Sequence, residues 1–135
     1  MTPDEDEQRL IKAAKAVRQN AYAPHSKYRV GAALLDEVGR VHSGCNVENA
    51  SFPQGSCAES NAIGAMVAAG GRRIVAIAVV GGRDELEFCT PCGGCRQGIL
   101  EFANDKTRVI LVGENGAVES RGIHDLLPAS FHLPA

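Results

Sequence analysis

Hydrophobic positions at the start of the chain recur at helical spacing: Leu10, Ile11, Ala14, Val17 and Ala21 fall on one stripe. Thr2-Pro3-Asp4-Glu5 ahead of them reads as a capping box with proline at the first helical position, and the acidic residues suit the positive helix end. The spacing predicts a helix to about Asn20. Tyr22-Ala23-Pro24-His25-Ser26 ends it, because the residue before a proline disfavours helix. The pattern then alternates. Residues 28–35 read as a strand with Val30, Ala32 and Leu34 on one face, and residues 41–47 as a second, joined by a hairpin turn at 36–40 that contains Gly39. The second strand closes on a polar cluster, Asn46-Val47-Glu48-Asn49, and a strand end rich in hydrogen-bonding groups suits a ligand.

A loop over 50–55 carries Phe52 and Pro53, and a helix from Ser56 to about Ala69 is stopped by Gly70-Gly71. That helix is apolar nearly all round, through Ala62, Ile63, Ala65, Met66, Val67, Ala68 and Ala69. Such a helix is buried on more than one side, which in a short chain predicts burial against other subunits. Residues 74–80 form a continuous β-branched run, read as a buried strand with layers on both faces and ended by Gly81-Gly82. After a loop, Thr90 can cap a helix from about Cys92 to Phe102, with Pro91 at its first position. A strand at 109–112, a turn at 113–116, a weak strand at 117–120 and one helical turn at 123–127 precede a tail that contains Phe131. With no repeats or linkers, residues 1–135 read as one domain. The order of elements argues an α/β sandwich with helices on both faces, while strand order is not legible at this level.

Charge and cysteine content narrow the function. The formal net charge is −2 and no Lys/Arg-rich run occurs, which argues against a nucleic-acid partner. No apolar run is long enough to span a membrane, and the acidic start lacks the basic opening of a signal peptide, so the cytoplasm is expected. Five cysteines are an odd count for a disulfide framework and are more consistent with buried, metal-bound or catalytic roles.

Two segments carry the chemistry. Thr90-Pro91-Cys92-Gly93-Gly94-Cys95-Arg96-Gln97 places two thiols one helical turn apart at a helix start, and Ser56-Cys57-Ala58-Glu59 places a third thiol and a carboxylate at another. Two helix N-termini can converge from one sheet edge, and both stabilise thiolates. Three sulfurs leave a fourth zinc position for water, the pattern of a catalytic site, and Glu59 is placed to take that water's proton. Plainer readings stand beside this one. Ser56-x-x-Glu59 is also a capping box, Cys92-x-x-Cys95 alone fits a redox pair or half a structural site, and Cys89 offers a fourth ligand for a closed Cys₄ centre. Cys45 reads as a small buried residue. His25, His42, His124 and His132 form no spaced pair.

Taken together, these motifs resemble the small cytidine deaminases. The match runs from Tyr22-Ala23-Pro24-x-Ser26 through Val30-Gly31-Ala32-Ala33-Leu34-Leu35 and Gly44-Cys45-Asn46-Val47-Glu48-Asn49-Ala50. It continues through Cys57-Ala58-Glu59, Pro91-Cys92-Gly93-Gly94-Cys95-Arg96-Gln97 and Leu126-Leu127-Pro128. The resemblance implies a three-layer α/β/α sandwich with a mixed five-stranded sheet, assembled as a homotetramer. It implies one Zn²⁺ per chain on Cys57, Cys92 and Cys95, with Glu59 as the proton shuttle. It implies hydrolytic deamination of cytidine and deoxycytidine in pyrimidine salvage. Asn46 and Glu48 would bind the ribose hydroxyl, Tyr28 would line the nucleoside pocket where the family usually has Phe, and the main chain at Cys57 and Ala58 would read the base edge. Phe52 and Phe131 match aromatics that reach a neighbouring subunit's site.

One departure stands out. Many members of the family carry Arg directly after the catalytic Glu, and this chain has Ser60; the sequence does not place the nearby Arg96 and Gln97. A blasticidin-type deaminase would share Cys57, Glu59, Cys92 and Cys95, but Asn46-Val47-Glu48-Asn49 argues for a nucleoside. A nucleic-acid-editing deaminase would carry His as first ligand on a basic surface. The rival from another class is a zinc-stabilised module without turnover.

Overall fold

The structure is a computed structural model and describes residues 3–134; the expected Thr2 cap lies outside them. Helix α1 (Pro3–Arg18) leads into strands β1 (Arg29–Asp36) and β2 (Val41–Cys45). Helix α2 (Ala58–Ala68), strand β3 (Ile74–Gly82), helix α3 (Gly93–Glu101), strands β4 (Arg108–Val112) and β5 (Val118–Gly122) and the single turn α4 (Ile123–Leu126) complete the chain. The sheet order is β2-β1-β3-β4-β5, with β3 and β4 parallel and the other neighbours antiparallel.

Alternation along the strands splits the core into two layers. Ala32 and Leu34 of β1, Ile77 and Val79 of β3, and Val109 and Leu111 of β4 face α2, α3 and α4, meeting Ala58, Ala62, Met66, Ile99 and Ile123. The intervening Ala33, Leu35, Ala76, Ala78, Val80, Ile110 and Val112 face α1 through Leu10, Ile11 and Ala14. A central strand buried on both faces reads as one apolar run, as β3 does. The mixed five-stranded sheet between two helical layers is the expected fold.

Two glycines set how close the helices lie. A Cβ at Gly31 would fall 2.1 Å from Ala14 O, so α1 rests directly on β1. A Cβ at Gly44 would fall 2.4 Å from Ala62 N and 2.7 Å from Ala58 O. The first turns of α2 therefore sit on the backbone of β2, which fixes the height of Glu59 above the sheet.

Two buried charges tie the layers together. Arg18 ends α1 and donates from Nε to Arg29 O (3.0 Å) and from Nη2 to Gly82 O (2.8 Å) and Arg83 O (3.1 Å). Asp36 at the hairpin accepts from the Val38 and Arg40 main chain, from Arg40 Nε and from His42 Nε2, and Arg40 reaches on to Ala69 O at the end of α2. Burial alone would push the Asp36 carboxyl up, but these donors outweigh it and hold it well below the ordinary carboxylate range.

Some boundaries differ from the sequence expectation. The second strand ends at Cys45 rather than 47, because Val47 leaves β2 to pair with Tyr22 and Ser56. Helix α2 starts at Ala58 and α3 at Gly93, each after a cysteine rather than after Ser56 or Thr90. Within the chain α2 is buried on one side only, through Ala58, Glu59, Ala62 and Met66; Gly64, Ala65, Val67 and Ala68 are exposed. Cys45 is half-buried rather than buried.

Candidate active site

Both helices that carry the candidate ligands begin the same way. Cys57 is the N-cap of α2 (φ −82°, ψ 152°), and Cys92 is the N-cap of α3 (φ −66°, ψ 167°). An N-cap side chain points over the first turn, and the residue three further on points back toward it. Cys92 and Cys95 occupy those two positions of α3, so their spacing brings the sulfurs together through local geometry. Cys57 joins them from α2. The three Sγ atoms all lie within 4.8 Å of one another, close enough to share one ion bound at about 2.3 Å. No other such group of His, Cys, Asp or Glu occurs among the described residues.

The electrostatics of the cluster favour a cation. Burial pushes the Glu59 carboxyl up from its ordinary value, although its own main-chain N–H and Cys95 act the other way. Cys95 is pushed up by burial and then by the charge of Glu59, and Cys57 is raised chiefly by burial. Only Cys92 is lowered, first by the main-chain N–H of Cys95 at the helix start. Four acidic groups crowded into a half-buried space oppose one another's ionisation, and a bound dication reverses that opposition. The donor set, its spacing and the two helix N-termini fit one zinc ion per chain.

The capping-box reading of Ser56 and Glu59 does not hold. Ser56 Oγ accepts from Asn61 Nδ2 at 3.1 Å, and Glu59 is 4% exposed beneath the cluster. Cys89 stands apart from the three-sulfur group. Burial raises its thiol, and it shares a hydrogen bond with Tyr28.

A cavity of about 610 Å³ opens above Glu59, Cys57 and Cys92. Its wall includes Val30, Asn46, Glu48, Phe52, Ala58 and Cys89. Asn46 is locked in place: its Oδ1 accepts from Val30 N (2.8 Å) and its Nδ2 donates to Tyr28 O (2.9 Å). Glu48 Oε1 accepts from the main-chain N–H of His25 (2.9 Å) and Ser26 (3.1 Å), and Oε2 accepts from the Ser26 hydroxyl. These donors, the Ser26 hydroxyl first, hold the Glu48 carboxyl below its ordinary value, so it stays an acceptor. Phe52 is exposed at the rim, edge-on to His25 with centroids 6.0 Å apart.

Two predicted residues lie elsewhere. Tyr28 sits behind the wall, packed with Cys89 against Gly81, and reaches the cavity through Cys89. Phe131 is 66% exposed and belongs to a separate surface cavity with Gln97 and His124. The sequence reading missed Cys89 and Val30 as wall residues and Ser26 as the group that orients Glu48. Ser26 was visible in the Tyr-Ala-Pro-x-Ser motif, but its partner lies 22 residues away. Ser60 is exposed, and no Lys or Arg side chain lines the cavity.

Comparison with known proteins agrees with this geometry. Residues 4–120 match the family model of the cytidine and deoxycytidylate deaminase zinc-binding region. The chain is 42% identical over 126 residues to the cytidine deaminase of Sporosarcina psychrophila, covering 93% of this chain and 91% of that protein. It is 39% identical over 131 residues to the cytidine deaminase of Mycobacterium tuberculosis H37Rv, covering 97% and 93%. The crystal structure of cytidine deaminase from Burkholderia pseudomallei superposes with a TM-score of 0.85 at 44% identity, over 97% of this chain and all of that one. With its three-cysteine cluster at two helix starts, its buried glutamate and this breadth of similarity, the chain belongs to the cytidine and deoxycytidylate deaminase zinc-binding family.

Proposed function

We propose that this protein catalyses the hydrolytic deamination of cytidine and deoxycytidine to uridine and deoxyuridine, releasing ammonia, in cytoplasmic pyrimidine salvage. The observation that carries the reading is a buried carboxylate, Glu59, beneath three clustered thiols at the floor of a nucleoside-sized cavity. Cys57, Cys92 and Cys95 would hold the zinc ion, which when bound would supply the Lewis acidity that makes water a nucleophile at neutral pH. Glu59 takes the protons of the attacking water in turn, delivering the first to N3 of the cytosine as the O–C4 bond forms and the second to the amino nitrogen at C4 as it departs. An O–C4 bond forms, the C4–N bond breaks, and ammonia leaves. The Ala58 N–H belongs to the first turn of α2, where main-chain donors lack helical acceptors, and is suited to reading the base edge. Asn46 and Glu48, both preset by their own hydrogen bonds, receive the ribose hydroxyl. Tyr28 shapes the pocket through Cys89. Residues 1–135 act as one catalytic domain.

The ribose assignment is tested by substrate choice. Conversion of cytidine and deoxycytidine, followed by the fall in ultraviolet absorbance, should far exceed that of free cytosine. Glu48→Ala should lower kcat/KM for the nucleosides by at least about a hundred-fold, because a site built around a hydroxyl discriminates strongly. Faster turnover of cytosine or of blasticidin S would overturn the assignment.

The protein works as a homotetramer whose sites are completed across subunits, with Phe52 and Phe131 supplied to a neighbour. The outward apolar face of α2 and the exposed Phe52, Phe131 and Leu133 support this. No helix among the described residues is long and apolar enough to cross a membrane, so that apolar surface is not a span. Stacking of an aromatic on a base contributes about 1–3 kcal/mol. Deleting the chain from Phe131 should therefore raise KM and spare zinc. Mixing that deletion with Glu59→Gln subunits should restore part of the activity, since an intact Glu59 site borrows Phe131 from its partner. Demonstrated subunit exchange without recovery would show that the tail acts in cis.

A further inference from the structure

Arg96 follows the metal ligand Cys95 on the first turns of α3, and its guanidinium forks between two distant carbonyls. Nε donates to Pro91 O at 2.8 Å and Nη1 to Leu126 O at 2.8 Å. Pro91 immediately precedes Cys92, and Leu126 ends α4. The next side chain, Gln97, donates from Nε2 to Phe131 O at 3.2 Å. Both acceptors of the guanidinium are main-chain carbonyls, so neither neutralises it. Beyond Leu127, the Gln97–Phe131 bond is the one hydrogen bond from the tail to the rest of the chain among the described residues; the Ser130–His132 bond is internal to the tail. Pro128, Ala129, Phe131, His132 and Leu133 are exposed.

We infer that Arg96 is a positioning residue that couples the metal loop to the C-terminal tail: filling the three-cysteine site orders residues 127–133, and emptying it releases them. A metal ion on Cys92 and Cys95 holds the first turn of α3 and the Pro91 carbonyl in fixed register. The planar guanidinium satisfies both carbonyls only when that register is kept, and so transmits it to Leu126. Gln97, on the same turn, transmits it to Phe131. By linkage the coupling is reciprocal, so an ordered tail tightens metal binding. The inference rests on the zinc reading of the cluster and extends it to a segment that carries no ligand.

The test is hydrogen exchange on the full-length protein with and without zinc, alongside the rate of zinc transfer to a chelator. In the wild type, removing zinc should speed exchange at 127–133 several-fold while β3 stays protected. Arg96→Met should exchange fast in the tail with or without zinc and should release zinc about ten-fold faster, the scale seen when groups supporting metal ligands are removed. Arg96→Lys keeps the charge but not the fork, so its tail should behave like that of Arg96→Met and its zinc release should be hastened as well. Gln97→Ala should loosen the tail and, by the same linkage, hasten zinc release by less than Arg96→Met does, and with Arg96→Lys it carries the test if the methionine variant folds poorly. A wild-type tail indifferent to zinc, or an Arg96→Lys tail with full zinc-dependent protection, would overturn the inference. Failure of the wild type to hold zinc at all would instead overturn the metal reading beneath it.

Discussion

Glu59→Gln should leave a folded, zinc-loaded protein with almost no turnover of cytidine. Gln keeps the shape and one hydrogen-bond acceptor but cannot take a proton from water. Loss of a general acid/base removes about 10²–10⁴ in rate, and a residue that both accepts and returns the proton accounts for more. The fold should not suffer. Glu59 is buried and its carboxyl is raised above the ordinary value, so in the metal-free protein its ionisation opposes folding. Stability tied to such a group falls as pH rises through the folded pKa, and a neutral isostere removes that penalty at neutral pH. Equal zinc content, a melting temperature close to that of the wild type and lost activity form the expected triple. Near-normal activity with zinc in place would make Glu59 a structural residue and would sink the proposed mechanism.

The second large effect concerns the metal. Replacing Cys57, Cys92 or Cys95 by Ser should take zinc from one per chain to well below that, and stability should fall with it. A ligand present at a thousand times its Kd stabilises the fold by about 4 kcal/mol, so a chelator should lower the wild-type melting temperature and leave these variants unmoved. Cys45→Ala and Cys89→Ala should keep zinc. Cys45 lies outside the cluster, and Cys89 engages Tyr28 instead. Metal analysis of the five single variants decides the matter, and loss of zinc from the Cys89 variant would indicate a closed four-cysteine centre.

The two ends of the site differ in how readily the sequence revealed them. Cys92 and Cys95 were legible because an N-cap and the third residue after it meet within one helical turn. Cys57 and Glu59 came through their own helix start and through the matching motif, since nothing local brings α2 against α3. The helix starts themselves were read one to two residues early. Thr90, Pro91 and Ser56 carry strong starting preferences, yet cysteines occupy the N-caps and leave their sulfurs facing the cavity. The outward apolar side of α2 was read as evidence of burial, and the chain's own contacts bury only its inner face.

By itself the sequence determined the kind and order of the main elements, with the last strand the weakest of them. Proline, glycine, capping residues and the two-residue and helical periods act over a few residues and need no distant partner. The chemistry was legible through the family resemblance that the motifs carry, since three thiols and a carboxylate at two helix starts had by themselves left a redox pair and a structural zinc site open. The tertiary structure alone decided the strand order and the layer each helix joins, with Gly31 and Gly44 admitting α1 and α2 onto the sheet. It alone placed Tyr28 behind Cys89, oriented Glu48 through Ser26, and sent Arg96 to Leu126, 30 residues away. The physical reason is that such contacts depend on closing long loops of chain. The free energy that selects among them comes from burying the sheet's two faces together, a property of the whole fold that no short stretch of sequence encodes.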